Sequence, residues 1–266
     1  MLYFPQHTSI QKHIDYYWIV NESSTILKEI PQTIYAYPGI TPDMLLVLDG
    51  YYMFKTRGIE FKSNVSTLFS FIDQTLQVDL SGLKSFILIK FKSKALSSLL
   101  PFVPFDASKI MQNPIIPVHE ICKKHFMSFL SKLKTTDDSL IVQELDHWFL
   151  SNYLKEREGL TIAIMDQADD RFDLQRMMRM TKYSYSTIER HFKRDTGLTP
   201  KKYESLQRYK SAVQEICRTK NTDWQYYINK YHYYDQSHFI KEIKRYTSLT
   251  PKQILTLPSF TEIRPL

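Results

Sequence analysis

The side chains best suited to chemistry in this chain are cations repeated at a fixed interval. Residues 193–201 read KRDTGLTPK and residues 244–252 read KRYTSLTPK. At an offset of 51, Lys193, Arg194 and Lys201 match Lys244, Arg245 and Lys252, and Thr196, Leu198, Thr199 and Pro200 match Thr247, Leu249, Thr250 and Pro251. Arg190 corresponds to Lys241 at the same offset. Cations on a duplicated unit suit a polyanion that itself repeats. Lysine and arginine donate to phosphate oxygens, and the arginine fork also fits the O6 and N7 acceptors of guanine.

Other chemistries lack their residues. The six glycines include no GxGxxG or Walker arrangement, and no GxSxG or HExxH occurs. The eight histidines do not cluster, and Cys122 and Cys217 make neither a disulfide framework nor a zinc pattern. Asp137-Asp138 and Asp169-Asp170 read as turn and linker residues rather than paired catalytic acids. A metal, a cofactor and an enzymatic activity are therefore not expected. No run approaches the length of a membrane span, and no signal peptide opens the chain, so a cytoplasmic location is expected.

The charge is unevenly placed. The net +7 of the chain falls wholly within residues 160–266, and residues 171–255 carry 18 Lys+Arg against 8 Asp+Glu. Residues 1–159 are neutral. That asymmetry favours a nucleic-acid-binding module joined to a neutral one. The expected domains are 1–158 and 159–266, with the acidic stretch around Glu156–Asp170 as connector.

The neutral half reads mainly as strands. Ile10, Ile14, Tyr17 and Trp18 suit a short helix over 9–18. Asp49-Gly50 predicts a hairpin joining strands 44–48 and 51–54. Further strands are expected near 67–72 and 83–91, the latter after a Ser81-Gly82 turn. Helical stripes come next, near 94–100, over 119–133 and over 139–154. The last two form a pair that either packs on the β body or makes a dimer seam. Tyr35, Tyr37, Tyr51, Tyr52 and Phe54 suit a β core, with a ligand pocket as the alternative.

The basic half reads as helices. A helix over 173–180 with Leu174, Met177 and Met178 inward leads through a tight turn to Ser184, an N-cap for the next helix. In the second copy, a helix over 224–231 leads to the N-cap Asp235. Helix, short turn, helix is the helix-turn-helix unit. Thr199 and Thr250 each cap a further helix, with Pro200 and Pro251 at first helical positions. Tyr203, Leu206, Tyr209, Val213 and Ile216 form one stripe on a long helix joining the units. The fold class is thus α+β: a β-rich N-terminal domain with appended helices, plus an all-α C-terminal domain containing two helix-turn-helix units.

These residues resemble the AraC/XylS family of transcription regulators over about 171–255. The first unit is carried by Ser184, Ile188, Arg190, Phe192-Lys193, Gly197-Leu198-Thr199-Pro200, Tyr203, Arg208 and Ala212. The second is carried by Asp223-Trp224, Tyr233–Phe239 and Leu249-Thr250-Pro251. The resemblance implies a seven-helix domain bound to promoter DNA. Three positions depart from the pattern: His232 and Ser248 stand where glycine is usual, and Ile228 where a small residue is usual. Phe4-Pro5, Tyr17-Trp18 and Pro38…Asp43 loosely resemble the N-terminal sensor or dimerisation domains of one branch of the family.

The expected function is sequence-specific DNA binding in transcription regulation, with the N-terminal domain sensing a ligand, dimerising, or both. Candidate contacts are Ser184, Ser186, Glu189, Arg190, Lys193, Arg194 and Lys201 in the first unit. Their counterparts in the second are Gln236, Ser237, His238, Lys241, Lys244 and Arg245. Lys202 and Lys252 are further phosphate candidates. Expected partners are double-stranded promoter DNA, a small-molecule effector, a second copy of the chain and, for an activator, RNA polymerase. The alternatives are a degenerate helix-turn-helix that binds protein, and a nucleic-acid-processing enzyme.

Overall fold

A computed structural model describes residues 1–22, 32–39, 41–56, 58–69, 75–92, 115–122, 125–152, 159–167 and 173–256. The expected helix near 94–100 lies outside them. The described residues of the N-terminal half hold ten strands: β1 (Leu2–Tyr3), β2 (Ile14–Val20), β3 (Thr33–Ala36), β4 (Asp43–Gly50), β5 (Tyr52–Thr56), β6 (Ile59–Ser63), β7 (Thr67–Phe69), β8 (Leu76–Asp79), β9 (Leu83–Phe91) and β10 (Ile115–Pro117). They form two antiparallel sheets, ordered β1-β2-β9-β4-β7-β10 and β3-β8-β5-β6. A one-turn helix, α1 (Thr8–Gln11), precedes β2, and α2 (Val118–Ile121), α3 (Phe126–Thr135) and α4 (Asp138–Asn152) come after β10.

The larger sheet is buried on both faces. Trp18, Leu45, Val47, Phe86 and Leu88 face the smaller sheet, meeting Ile34, Tyr52, Phe54 and Val78. Tyr17, Leu46, Ile87 and Ile89 face α3 and α4, meeting Phe129, Leu133, Leu145 and Phe149. A strand covered on both sides needs no polar alternation, which explains the unbroken apolar runs of β4 and β9. The helical pair therefore packs on the β body, one of its two expected placements. Buried Asp146 on α4 fixes the N-terminus there. Its carboxylate accepts from the Tyr17 hydroxyl at 2.7 Å and from the Gln6 and His7 amides at 2.7 and 2.8 Å.

Three expectations are corrected. The 9–18 segment is not a helix: α1 ends at Gln11 and β2 begins at Ile14. The run IDYYWIV is β-branched and aromatic, and pairing with β9 sends Tyr17 and Trp18 into cores on opposite faces. Asp49-Gly50 is not a hairpin turn, because β4 and β5 belong to different sheets. The chain instead changes sheet twice at one corner. Gly50 takes φ +95°, and a Cβ on it would lie 2.2 Å from the Gly82 carbonyl oxygen. The Tyr51 amide donates to that same oxygen at 2.9 Å. Finally, 119–133 divides into α2 and α3, with His125 at φ +64° between them. The Val118 amide is tied to Ser66 O at 2.8 Å, while Phe129 on α3 stacks on Trp148 at 4.5 Å. The chain breaks its helix between these two anchors, and the expected stripe stays buried across the break.

The aromatic group of the N-terminal half is dispersed. Tyr52 and Phe54 lie in the inter-sheet core. Tyr51 sits at the corner under the Lys62 ammonium, 3.7 Å away. Tyr37 is buried in the core of the C-terminal helices, with Tyr35 against it.

Two polar contacts join the halves at the same boundary. The Thr75 hydroxyl donates to Thr247 O at 3.1 Å, and Lys210 Nζ lies 3.5 Å from Tyr37 O. Burial, then the nearby Lys90 ammonium, pushes Lys210 down from 10.5 to about 8, against the opposing pull of Asp43. Asp43 is itself paired with Lys90 at 2.6 Å across β4 and β9.

This geometry has measurable consequences for stability. Gly50→Ala should lower stability by at least about 2 kcal/mol in urea denaturation, since it adds a backbone clash to left-handed strain. Gly58→Ala, at φ +76° in open space, should cost only about 1 kcal/mol. Between pH 8 and 10.5 the unfolded chain holds a proton on Lys210 that the folded chain has lost. Stability should therefore rise with pH across that window relative to Lys210→Met. A flat difference between the two proteins' stability curves would refute this assignment.

Candidate nucleic-acid interface

Residues 159–256 form the helical half. Its helices are α5 (Leu160–Gln167), α6 (Leu174–Thr181), α7 (Tyr185–Thr196), α8 (Pro200–Thr219), α9 (Trp224–Lys230), α10 (Gln236–Thr247) and α11 (Pro251–Ile254). In the first unit Asp173 caps α6 by accepting from the Arg176 amide at 3.0 Å. Lys182 ends α6 at φ +57°, and Ser184 caps α7 by accepting from the Thr187 amide at 3.3 Å. Ile188 and Phe192 turn inward, which leaves Arg190 on the exposed face.

The second unit repeats this plan with a longer turn. Asp223 caps α9, and the Asp235 carboxylate caps α10 by accepting from the His238 amide at 2.7 Å. His232 and Ser248 adopt φ +54° and +60°, the left-handed conformation that favours glycine. Ile228, which stands where a small residue is usual, is buried, and its carbonyl accepts from the Tyr233 amide at 3.0 Å. The N-caps are 51 residues apart, but the left-handed residues Lys182 and His232 are only 50 apart. One extra residue thus enters the second turn. Tyr233 goes inward, edge-on to Phe239 at 5.0 Å, and Tyr234 goes outward with 91% of its surface exposed. Tyr183, in the shorter turn, is 50% exposed.

Helix α8 holds the units together. Thr199 caps it by accepting from the Lys202 amide at 3.1 Å, and Pro200 occupies its first turn, where no amide donor is needed. Tyr203, Leu206, Tyr209, Val213 and Ile216 are all buried against both units. Thr250 repeats the cap on α11 as a full capping box with Gln253. Two buried carboxylates tie α8 to the second unit. Glu242 on α10 accepts from Arg208 at 2.7 and 2.9 Å, and the Arg208 guanidinium lies 4.9 Å from the Tyr233 ring. Glu215 on α8 accepts from Lys230, Tyr231 and Tyr226 at 2.6, 2.8 and 3.0 Å. Burial alone pushes Glu215 up, but these three donors together hold its carboxyl below the ordinary value.

The candidate residues separate into two groups. Arg190, Ser186, Lys201, Gln236, Ser237, Lys241 and Lys244 are exposed. The others are engaged. Ser184 is a cap. Lys193 pairs with Glu189 at 2.9 Å within α7. Arg194 pairs with Asp195 at 2.6 Å, and Asp195 accepts from Thr161 on α5. His238 accepts from the Tyr234 amide at 3.3 Å and faces Glu242 at 3.7 Å. Lys202 donates to Tyr246 at 3.2 Å, and Arg245 lies 5.8 Å from the Tyr246 ring. The Glu189 and Arg194 pairs are surface pairs worth little. Lys252 is exposed on α11. Sequence reasoning missed Glu242 and Glu215, although a signal existed. Glu242 falls on the inward stripe of Phe239, Ile243 and Tyr246, and Glu215 beside Ala212 and Ile216, where an acid needs a buried partner.

Residues 177–256 match the family model of a helix-turn-helix domain. The chain carries an AraC-type helix-turn-helix domain. No curated protein matches the sequence. Among solved structures, ToxT from Vibrio cholerae in its P21 form is 10% identical with TM-score 0.46, over 84% of this chain and 96% of that one. ToxT from Vibrio cholerae O395 is 8% identical with TM-score 0.47, over 88% and 98%. Unsaturated fatty acid bound ToxT from strain SCE256 is 9% identical with TM-score 0.46, over 91% and 95%. Among the described residues, no group of three or more His, Cys, Asp or Glu could hold a metal ion, and no helix is long and apolar enough to cross a membrane.

The Arg208–Glu242 pair gives the AraC-type domain a specific vulnerability. Glu242→Gln leaves a largely buried guanidinium without its counter-charge and should cost about 3 kcal/mol in urea denaturation. The double change Arg208→Met with Glu242→Leu should recover most of that loss, because a buried pair contributes little net energy over an apolar replacement. Additive losses in the double-mutant cycle would contradict the pairing.

Proposed function

We propose that the chain is a sequence-specific regulator of transcription. Helices α7 and α10 enter successive major grooves of promoter DNA, and α8 sets their separation. One observation carries this reading: two capped helices present Arg190 and Lys241 on exposed faces at equivalent positions, both referenced to one rigid helix. At 20 residues α8 is about 30 Å long, close to the ~34 Å of one duplex turn. Arg190 reads a base edge, with Ser186, Gln236, Ser237 and Lys241 as further base or backbone contacts. Lys193, Arg194, Lys201, Lys244, Arg245 and Lys252 position the domain on phosphates. The DNA-binding module begins near residue 159, and residues 1–158 form the sensing module. Leu45, Phe69, Leu76, Val78, Phe86 and Leu88 line an apolar cavity between the two sheets, with the Asp43 carboxylate among its walls. The space it encloses is about 20 Å³, room for one water, so a small apolar effector, the ligand class that such a lining takes, enters only by parting the two sheets. If the regulator activates, RNA polymerase is its further partner.

Selection of bound fragments from genomic DNA, with footprinting of the selected sites, tests the proposal. With about six phosphates contacted, log K should fall with log salt at a slope near −5, and a slope near zero would overturn it. On the selected site, Arg190→Ala should cost about 1–3 kcal/mol and relax preference at one position. The longer turn before α10 points to the first unit as the dominant reader. Lys241→Ala should therefore lose less discrimination between sites than Arg190→Ala.

A further inference from the structure

We propose that the smaller N-terminal sheet continues across a two-fold axis into a second copy of this chain, through antiparallel pairing of β6 with itself. Among the described residues β6 is the end strand of that sheet, and Ile59, Glu60, Phe61 and Lys62 are all exposed. Its other side is fully paired with β5: Thr56 opposes Ile59, Lys55 opposes Glu60, Phe54 opposes Phe61 and Met53 opposes Lys62. The hydrogen-bonding direction of each residue comes from that register. A two-residue connection closes on a hydrogen-bonded pair, so Ile59 and Phe61 direct their amides and carbonyls at β5. Glu60 and Lys62 direct theirs at the open edge.

A second β6 laid antiparallel about Phe61 then meets three requirements at once. Glu60 and Lys62 of one copy face Lys62 and Glu60 of the other as hydrogen-bonded pairs, each exchanging two backbone bonds. Their side chains form opposite-charge cross-strand pairs on the outer face. Phe61 meets its symmetry mate at the non-bonded position, where side chains approach more closely. Phe61 and Ile59 share the inner face with Phe54, but they overhang the core and remain 44% and 58% exposed. Pairing covers that overhang. The charge order Glu-Phe-Lys is self-complementary in this register, whereas a one-residue slip would put Glu60 opposite Phe61. An isologous contact of this kind closes as a dimer and does not propagate.

The test is sedimentation of the full chain, without DNA, at roughly 100 µM, because so short an edge supports only weak association. The wild type should form a dimer. Glu60→Lys and Lys62→Glu should each be monomeric, since each places like charges opposite one another twice. An equimolar mixture of the two variants should associate, because every facing pair is again opposite in sign. The mixture also shows that both variants are folded. A monomeric wild type, or variants that self-associate as the wild type does, would overturn the proposal. Binding of each variant to a DNA fragment carrying a single site should match the wild type. Loss of DNA binding by the wild type itself would count against the regulator reading alone.

Discussion

The arrangement depends on one constraint: both recognition helices take their position from a single helix. α8 buries one stripe against both units, so neither can rotate without disturbing a shared core. The two attachments differ in chemistry. In the first unit Phe192 packs edge-on to Tyr203 of α8 at 5.6 Å. The second adds the Glu242 and Glu215 clusters, in which buried carboxylates meet cations and tyrosine hydroxyls. Apolar packing fixes depth but tolerates sliding, because it has no preferred direction. A bidentate guanidinium–carboxylate contact fixes direction as well. The second unit, with its longer turn, is thus fastened by directional bonds.

The longer turn changes the surface that the second unit offers to a duplex. With a residue inserted before Asp235, Tyr234 keeps the place of Tyr183 directly before the cap, and the added Tyr233 turns into the core. Tyr234 therefore stands directly before the N-terminus of α10. It presents a ring and a hydroxyl where the first unit has only the less exposed Tyr183. His238, an apparent base contact in sequence, is drawn into supporting that turn. The chemistry of the second unit moves from the helix face toward the turn.

Legibility in the sequence tracked the range of the interactions. Caps, prolines at first helical positions and the α8 stripe were readable because each acts within one or two turns of helix. The left-handed demand at His232 and Ser248 was readable only through the glycine pattern of the resembling family. Pairings that depend on distant partners were not readable. Ile10, Ile14, Tyr17 and Trp18 satisfy a helical period, yet β9 decides the outcome by offering a ladder and a core on each face. Asp49-Gly50 carries hairpin residues, but Gly50 serves a corner between sheets, where Gly82 opposes it. The α2–α3 break has no glycine or proline to announce it and arises from two anchors remote in sequence. Glu242 shows the intermediate case, in which its place on an apolar stripe was visible and its partner Arg208 was not.

The position of Tyr37 joins the two halves. It lies one residue beyond β3, yet it is buried among the α8 side chains, and its carbonyl faces Lys210 on that helix. Thr75, just before β8, reaches the C-terminus of α10. β3 and β8 are adjacent strands, and both border the inter-sheet cavity through Ala36, Leu76 and Val78. A molecule filling that cavity would act on the two strands that touch α8 and α10. Filling alone shifts no equilibrium: the ligand must favour one placement of β3 and β8 over another. Independently of any ligand, the burial of Lys210 beside Lys90 weakens the contact between the halves, because that desolvation is relieved when they separate. The contact between the halves is therefore held by apolar burial of Tyr37 and by the Thr75 hydrogen bond, while Lys210 adds one long hydrogen bond at the cost of its own desolvation.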